Sequence, residues 1–73
     1  MNMYIFTFGI NRKHCDNFQP IIANSMEEAE KLMFEHHGQD WAFGYTEKSF
    51  NKSRQQGLFT NLTPLSIIQK EAV

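Results

Sequence analysis

The stretch Ser25–Gly38, SMEEAEKLMFEHHG, decides how this 73-residue chain is read, because its start, its buried face and its end are all legible. Ser25, with Glu28 three residues on, forms a capping box. The hydroxyl accepts from the backbone N–H of Glu28, and the Glu28 carboxylate reaches back to the N–H of Ser25. Glu27, Glu28 and Glu30 place negative charge in the first turns, where the helix dipole favours it. Gly38 is the left-handed stop, with His36 and His37 in the last turn. On a 3.6-residue period Met26, Ala29, Leu32, Met33 and His36 share the stripe that faces the core. Glu27, Glu28, Lys31 and Glu35 face water. Phe34 falls off the stripe, near Glu27 and Glu30, so it is either tucked under a loop or part of a contact surface.

Working outward, Met3–Ile10 (MYIFTFGI) reads as a strand. Tyr4, Phe6, Phe8 and Ile10 project to one face, Met3, Ile5 and Thr7 to the other. Both faces are largely apolar, which marks a central strand covered on each side. Asn11–Asn17 is a polar connection with a basic cluster, Arg12, Lys13 and His14. Phe18–Asn24 (FQPIIAN) is a second, antiparallel strand. Pro20 cannot donate to a ladder, so this strand lies at an edge or begins at Ile21. Beyond the helix, Trp41–Glu47 (WAFGYTE) gives a third strand, with Trp41, Phe43 and Tyr45 on one face and Ala42, Gly44 and Thr46 on the other.

Lys48–Gly57 is polar and basic, with Phe50 its sole apolar anchor, and fits a short helix or a loop. Leu58–Leu62 fits a short fourth strand. Thr63–Pro64 reads as the N-cap and first position of a terminal helix carrying Leu65, Ile68 and Ala72, with a strand over Leu65–Gln69 as the alternative. The expected fold is α+β: one domain, a small antiparallel sheet of three or four strands in the order β-β-α-β, then a short tail, with one main helix on one face.

Two assignments of the sheet faces are open. If Tyr4, Phe6 and Phe8 share an uncovered face with Trp41, Phe43 and Tyr45, a second subunit is the economical cover and the protein is a homo-oligomer. If those aromatics lie under the helix, no partner is needed.

Composition narrows the classes. A domain this short buries about 60% of its unfolded surface and usually needs a staple. Cys15 is alone, which excludes an internal disulfide and, with no signal peptide, points to a reducing, cytoplasmic setting. No apolar run is long enough to span a bilayer. His36 and His37 are adjacent, as are His14 and Cys15, which is not chelating spacing, so no metal or other cofactor is expected. With 7 basic and 8 acidic residues and a formal charge of −1, the chain lacks the basic excess of a nonspecific duplex-DNA binder. No Gly-rich phosphate loop is present, and His14, Cys15 and Asp16 are sequence neighbours, whereas working triads are assembled in space. A non-enzymatic protein is the expectation.

The segments Tyr4–Gly9 (YIFTFG), Asn17–Phe18 with Ile21–Glu35 (NF…IIANSMEEAEKLMFE), and Gly38-x-Asp40 followed by WAFGYTEKSF together resemble small phage- and prophage-encoded proteins of low-GC Gram-positive bacteria. The likeness runs over Met3–Phe50. It implies expression inside an infected bacterial cell and an accessory role in blocking host defences, and it brings no catalytic residues with it. Two binding classes follow. In the first, the protein sequesters a small anionic nucleotide-type immune signal in a pocket of an oligomer. Trp41, Tyr45 and Tyr4 would stack on bases, and Arg12, Lys13, Lys48, Lys52 and Arg54 would meet phosphate. In the second, it plugs a host defence nuclease or effector through aromatic anchors, with Tyr4, Phe34 and Phe43 as interface residues. A regulatory or scaffold role for the phage itself is the third option.

Overall fold

A computed structural model describes residues 2–9 and 14–69. The elements are β1 (Asn2–Thr7), β2 (Asn17–Ala23), α1 (Met26–His37), β3 (Phe43–Thr46), α2 (Glu47–Gln55), β4 (Thr63–Pro64) and β5 (Ile68–Gln69). The fold is α+β. β1 pairs antiparallel with β2 on one side and with β3 on the other. β4 and β5 then run parallel along the far side of β2. The sheet is therefore mixed, where an antiparallel one was expected. Ile10, Arg12, Lys13 and Ala72 lie outside the described residues.

α1 keeps its expected start with one change. Ser25 Oγ accepts from the N–H of Glu28 at 3.2 Å, but Glu28 Oε1 accepts from the N–H of Asn24, also at 3.2 Å, rather than from that of Ser25. The helix stops at Gly38, whose φ of +60° suits a residue without a Cβ. Ala29 and Met33 are buried and Met26 and Leu32 half-buried, as the stripe requires. His36 is exposed and His37 takes its place, because the buried line steps from Met33 by four residues.

The face question resolves against an open aromatic sheet. Tyr4, Phe6 and Phe8 pack with Ile21, Ala23, Ala29 and Met33 beneath α1. The opposite face, Ile5 and Phe18 with Met3 and Tyr45, is covered by Phe50 of α2 and by Phe59 and Leu62. α2 forms because Thr46 caps it, its Oγ1 accepting from Ser49 N–H at 3.1 Å. Phe50 is then the single large apolar side chain the helix offers to the sheet, and it is 1% exposed. So each face of a sheet in a 73-residue chain has its own helix: α1 is the expected main helix, and of the two options for Lys48–Gly57, helix or loop, the helix forms as α2.

Trp41 and Tyr45 do not share a face. β3 starts only at Phe43; Ala42 donates its N–H to Thr7 O at 2.8 Å and the chain before it turns away. Trp41 joins the core under α1, and Tyr45 joins the core under α2. The small face of β3 serves a side chain, not the helix. Phe6 lies opposite Gly44, and a Cβ on Gly44 would stand 2.6 Å from its ring.

β2 is an interior strand despite Pro20, and the tail explains how. β4 pairs at Phe18↔Pro64 and β5 at Ile21↔Ile68, so Gln19 and Pro20 face three tail residues, Leu65, Ser66 and Ile67. The ladder bulges where Pro20 has no N–H to give. Gln19 Nε2 bridges the gap, donating to Ser66 O at 2.7 Å and to Pro20 O at 2.9 Å. The expected terminal helix at Thr63 does not form, since Thr63 N–H donates to Asp16 O and Thr63 Oγ1 accepts from Asn17 Nδ2 at 2.8 Å. A helix there would leave the outer edge of β2 unpaired. Leu58–Leu62 contains turns rather than a strand.

Gly44→Ala drives a methyl group into a fully buried aromatic ring. It should cost about 1–3 kcal/mol, as overpacking does. Urea unfolding of the two proteins measures this; equal midpoints would show that Phe6 yields freely.

Candidate binding surfaces

Three rings form a column from the core to the surface. The buried Phe6 meets Trp41 edge-on, centroids 5.1 Å apart and planes at 87°. Trp41 meets Phe34 at 5.8 Å and 76°. Trp41 Nε1–H donates to Gly38 O at 3.1 Å, and the Gly38 N–H closes the end of α1 on Phe34 O at 3.0 Å. The indole is thereby fixed by both ends, and Phe34, 53% exposed, stands on it. Edge-to-face geometry suits the ring quadrupoles. A ring held this way loses little freedom on binding.

A second surface lies beyond the reach of α2, at the end of β1. Thr7, Phe43, Tyr45, Phe59 and Leu62, with Cys15 and Asp16 at the margin, enclose an open hollow of about 610 Å³. Phe59 stacks on Phe50 at 5.1 Å with planes 10° apart and meets Tyr45 at 5.4 Å. Its backbone sits at φ +58°, a conformation that costs a residue with a Cβ roughly 1–2 kcal/mol. That cost is offset by the ring's place in the stack. Phe43 is 65% exposed on the rim.

The cations expected at a phosphate site are dispersed. Lys48 and Lys52 are exposed one turn apart on α2, on the side away from Phe50. Arg54 instead lies over the rings of Phe50 and Phe18, at 5.8 and 6.0 Å. None of the three lines the hollow, where Asp16 is the charged group among the described residues. Of the expected stacking residues, Tyr45 reaches the hollow, Trp41 is on the other face, and Tyr4 is 8% exposed beneath α1, so Tyr4 is no interface residue either. Phe34 and Phe43 are both accessible. Cys15 is an exposed free thiol.

The His14 ring packs against Phe8 at 5.1 Å and His37 at 5.6 Å. Among the described residues no group of three or more His, Cys, Asp or Glu side chains is placed to hold a metal ion, and no helix is long and apolar enough to cross a membrane.

One polar cluster had gone unread in the sequence. Gln19, 2% exposed, stands on the α1 face, and its Oε1 lies 3.0 Å from His37 Nε2. Because its amide nitrogen already donates to two carbonyls, the Oε1 must accept, and His37 carries its proton on Nε2. Gln19 thus joins β2, the tail and α1. Its signal was available: it is the one polar residue in Phe18–Ala23, and an isolated polar residue inside a buried strand needs partners.

Compared with protein-family models, curated proteins and solved structures, the chain matches none.

Burial holds the His37 pKa below its ordinary 6.5, helped by the nearby His14 and His36 and opposed by Asp40. A lowered folded-state pKa means that the unfolded chain takes up the proton first. Stability is therefore full above the ordinary pKa and falls as pH drops through 6.5 toward the folded value. Melting curves from pH 8 to pH 5 should show this loss, and His37→Gln should flatten it. An identical slope in the variant would assign the pH dependence elsewhere.

Proposed function

We propose that the protein is a non-enzymatic binding protein that inhibits another protein by docking on it, with Phe34 on its Trp41 platform as the central anchor. The observation that carries this reading is the column Phe6–Trp41–Phe34, which presents an exposed ring from an immobile base. Large aromatic side chains in preorganised positions dominate binding energies at protein interfaces. The resemblance to phage accessory proteins supports a host defence protein as the target and the bacterial cytoplasm as the place of action.

Sequestration of an anionic nucleotide is the weaker reading. It needs stacking rings and cations around one cavity, yet Trp41 and Tyr45 lie on opposite faces and the cations of α2 point away from the hollow. A phosphate placed there would meet the carboxylate of Asp16 instead.

The two readings part in a paired experiment. Immobilised wild-type protein and its Phe34→Ala variant are exposed to lysate of a Gram-positive host, and any captured protein is purified and recombined with each. Phe34 is exposed, so the variant keeps its fold, and its affinity should fall about tenfold or more, as for a hot spot. In parallel, native mass spectrometry is run with cyclic oligonucleotides and ADP-ribose derivatives. A nucleotide mass that stays bound to the wild type and is lost in Lys48→Ala/Lys52→Ala would replace the protein-docking reading with the sequestration one.

A further inference from the structure

The hollow at the end of β1 combines aromatic rings with charge of one sign. Phe59 spends one face on Phe50, in a stack with planes 10° apart, which leaves its other face for the hollow. Tyr45 leans against it at 58°. Phe43 lies on the same side of β3 as Tyr45 and stands exposed at the rim. The charged residue among the described lining is Asp16. Its backbone carbonyl accepts from Thr63 N–H at 3.0 Å, so the residue is anchored while its side chain stays exposed. The other open cavity, of about 790 Å³ between α1 and β5, lacks this combination. Glu27, Glu28 and Glu35 line it, but Lys31 stands among them, and no Phe, Tyr or Trp of the described residues takes part.

We infer that the hollow binds a small organic cation, a substituted ammonium carried on a short apolar body. The faces of aromatic rings are negative, so a cation gains from each ring it meets, and quaternary ammonium groups are the cations such sites take best. Asp16 adds a full opposite charge on the same rim. Each alternative occupant fails on one of these terms. An anion would meet the carboxylate and the negative faces of the rings. An uncharged apolar molecule would draw water from Asp16 and give nothing back. An inorganic cation needs several oxygen ligands, and among the described residues no second carboxylate lines the hollow. At about 610 Å³ the hollow has the size of a small-molecule site, more than one side chain of a protein partner would fill. It lies on the α2 face of the sheet and Phe34 on the α1 side, so the two contacts are independent.

The probes are choline and its uncharged carbon isostere, 3,3-dimethylbutan-1-ol, each titrated against the protein through the millimolar range and followed by proton NMR. A cation seated over ring faces is shielded by their ring currents, so the choline N-methyl resonance should move upfield and saturate. The isostere should bind about tenfold more weakly, the share of a cation held by rings in a desolvated site. Asp16→Asn and Phe43→Leu, both at exposed positions, should each weaken choline severalfold and leave the isostere unchanged. The leucine keeps apolar surface and removes only the ring. Equal affinity of the two probes overturns the inference, since the hollow would then take any apolar molecule. Choline binding that survives both substitutions overturns it as well, by placing the cation elsewhere. So does a choline resonance that never moves.

Discussion

The fold depends on how β2 survives a proline at its middle. An interior strand must satisfy its backbone on two sides, and Pro20 has no N–H for either. The tail answers by leaving the ladder for three residues opposite Gln19 and Pro20. The Gln19 side chain takes over as donor, holding Ser66 O. Because the remaining Gln19 oxygen is engaged by His37, the same residue ties the last strand of the chain to the end of α1. Without that amide, the tail would keep the pairing at Asn17, Phe18, Ile21 and Ile22 and the packing of Leu65 and Ile68, but lose its tie across the bulge.

Covering both sides of a sheet with so little chain sets the next constraint. A small domain has few apolar side chains to divide between two cores. Here the division is unequal. The α1 side receives Tyr4, Phe6, Phe8, Ile21 and Met33, while the α2 side relies on Ile5, Phe18 and Phe50. One helix of nine residues cannot roof the whole second face. The strained Phe59 and the turn around it extend the cover as far as Tyr45, and the hollow begins where that cover ends. The hollow is thus a consequence of chain length as much as of any ligand.

The capped helix, the first two strands and the β-β-α-β order were legible because each rests on local signals: Ser25 and Glu28, alternation along Tyr4–Phe8, Gly38 after His37. What the sequence concealed depends on distant partners. Trp41 looked like the start of a strand by alternation alone, and only its bonds to the loop after α1 and the packing on Phe6 take it to the other face. Thr63–Pro64 carries a good helix start, but Asn17 and Asp16, 46 residues earlier for Asn17, offer its backbone a ladder instead. Of the candidate surface, Phe34 could be singled out as an apolar residue off the buried stripe, whereas Phe43 was legible only as part of an aromatic face shared with Trp41 and Tyr45, which the fold divides. The dispersal of Lys48, Lys52 and Arg54 could not, because it follows from which side of α2 Phe50 turns to the sheet.

That dispersal argues for the division of labour on this surface. Arg54 is spent on the rings of Phe18 and Phe50, where its stem and guanidinium shield core edges from water. Lys48 and Lys52, at the solvent side of α2, interact with anything at long range only through screened fields. Charges so placed can steer an encounter with an acidic surface, but they do not fix a ligand's geometry. The aromatic column has the opposite character. It reaches no further than contact, yet each ring is held by the one below it down to a fully buried Phe6. Under the proposed docking, binding energy that depends on shape belongs at Phe34, and the basic helix serves the approach.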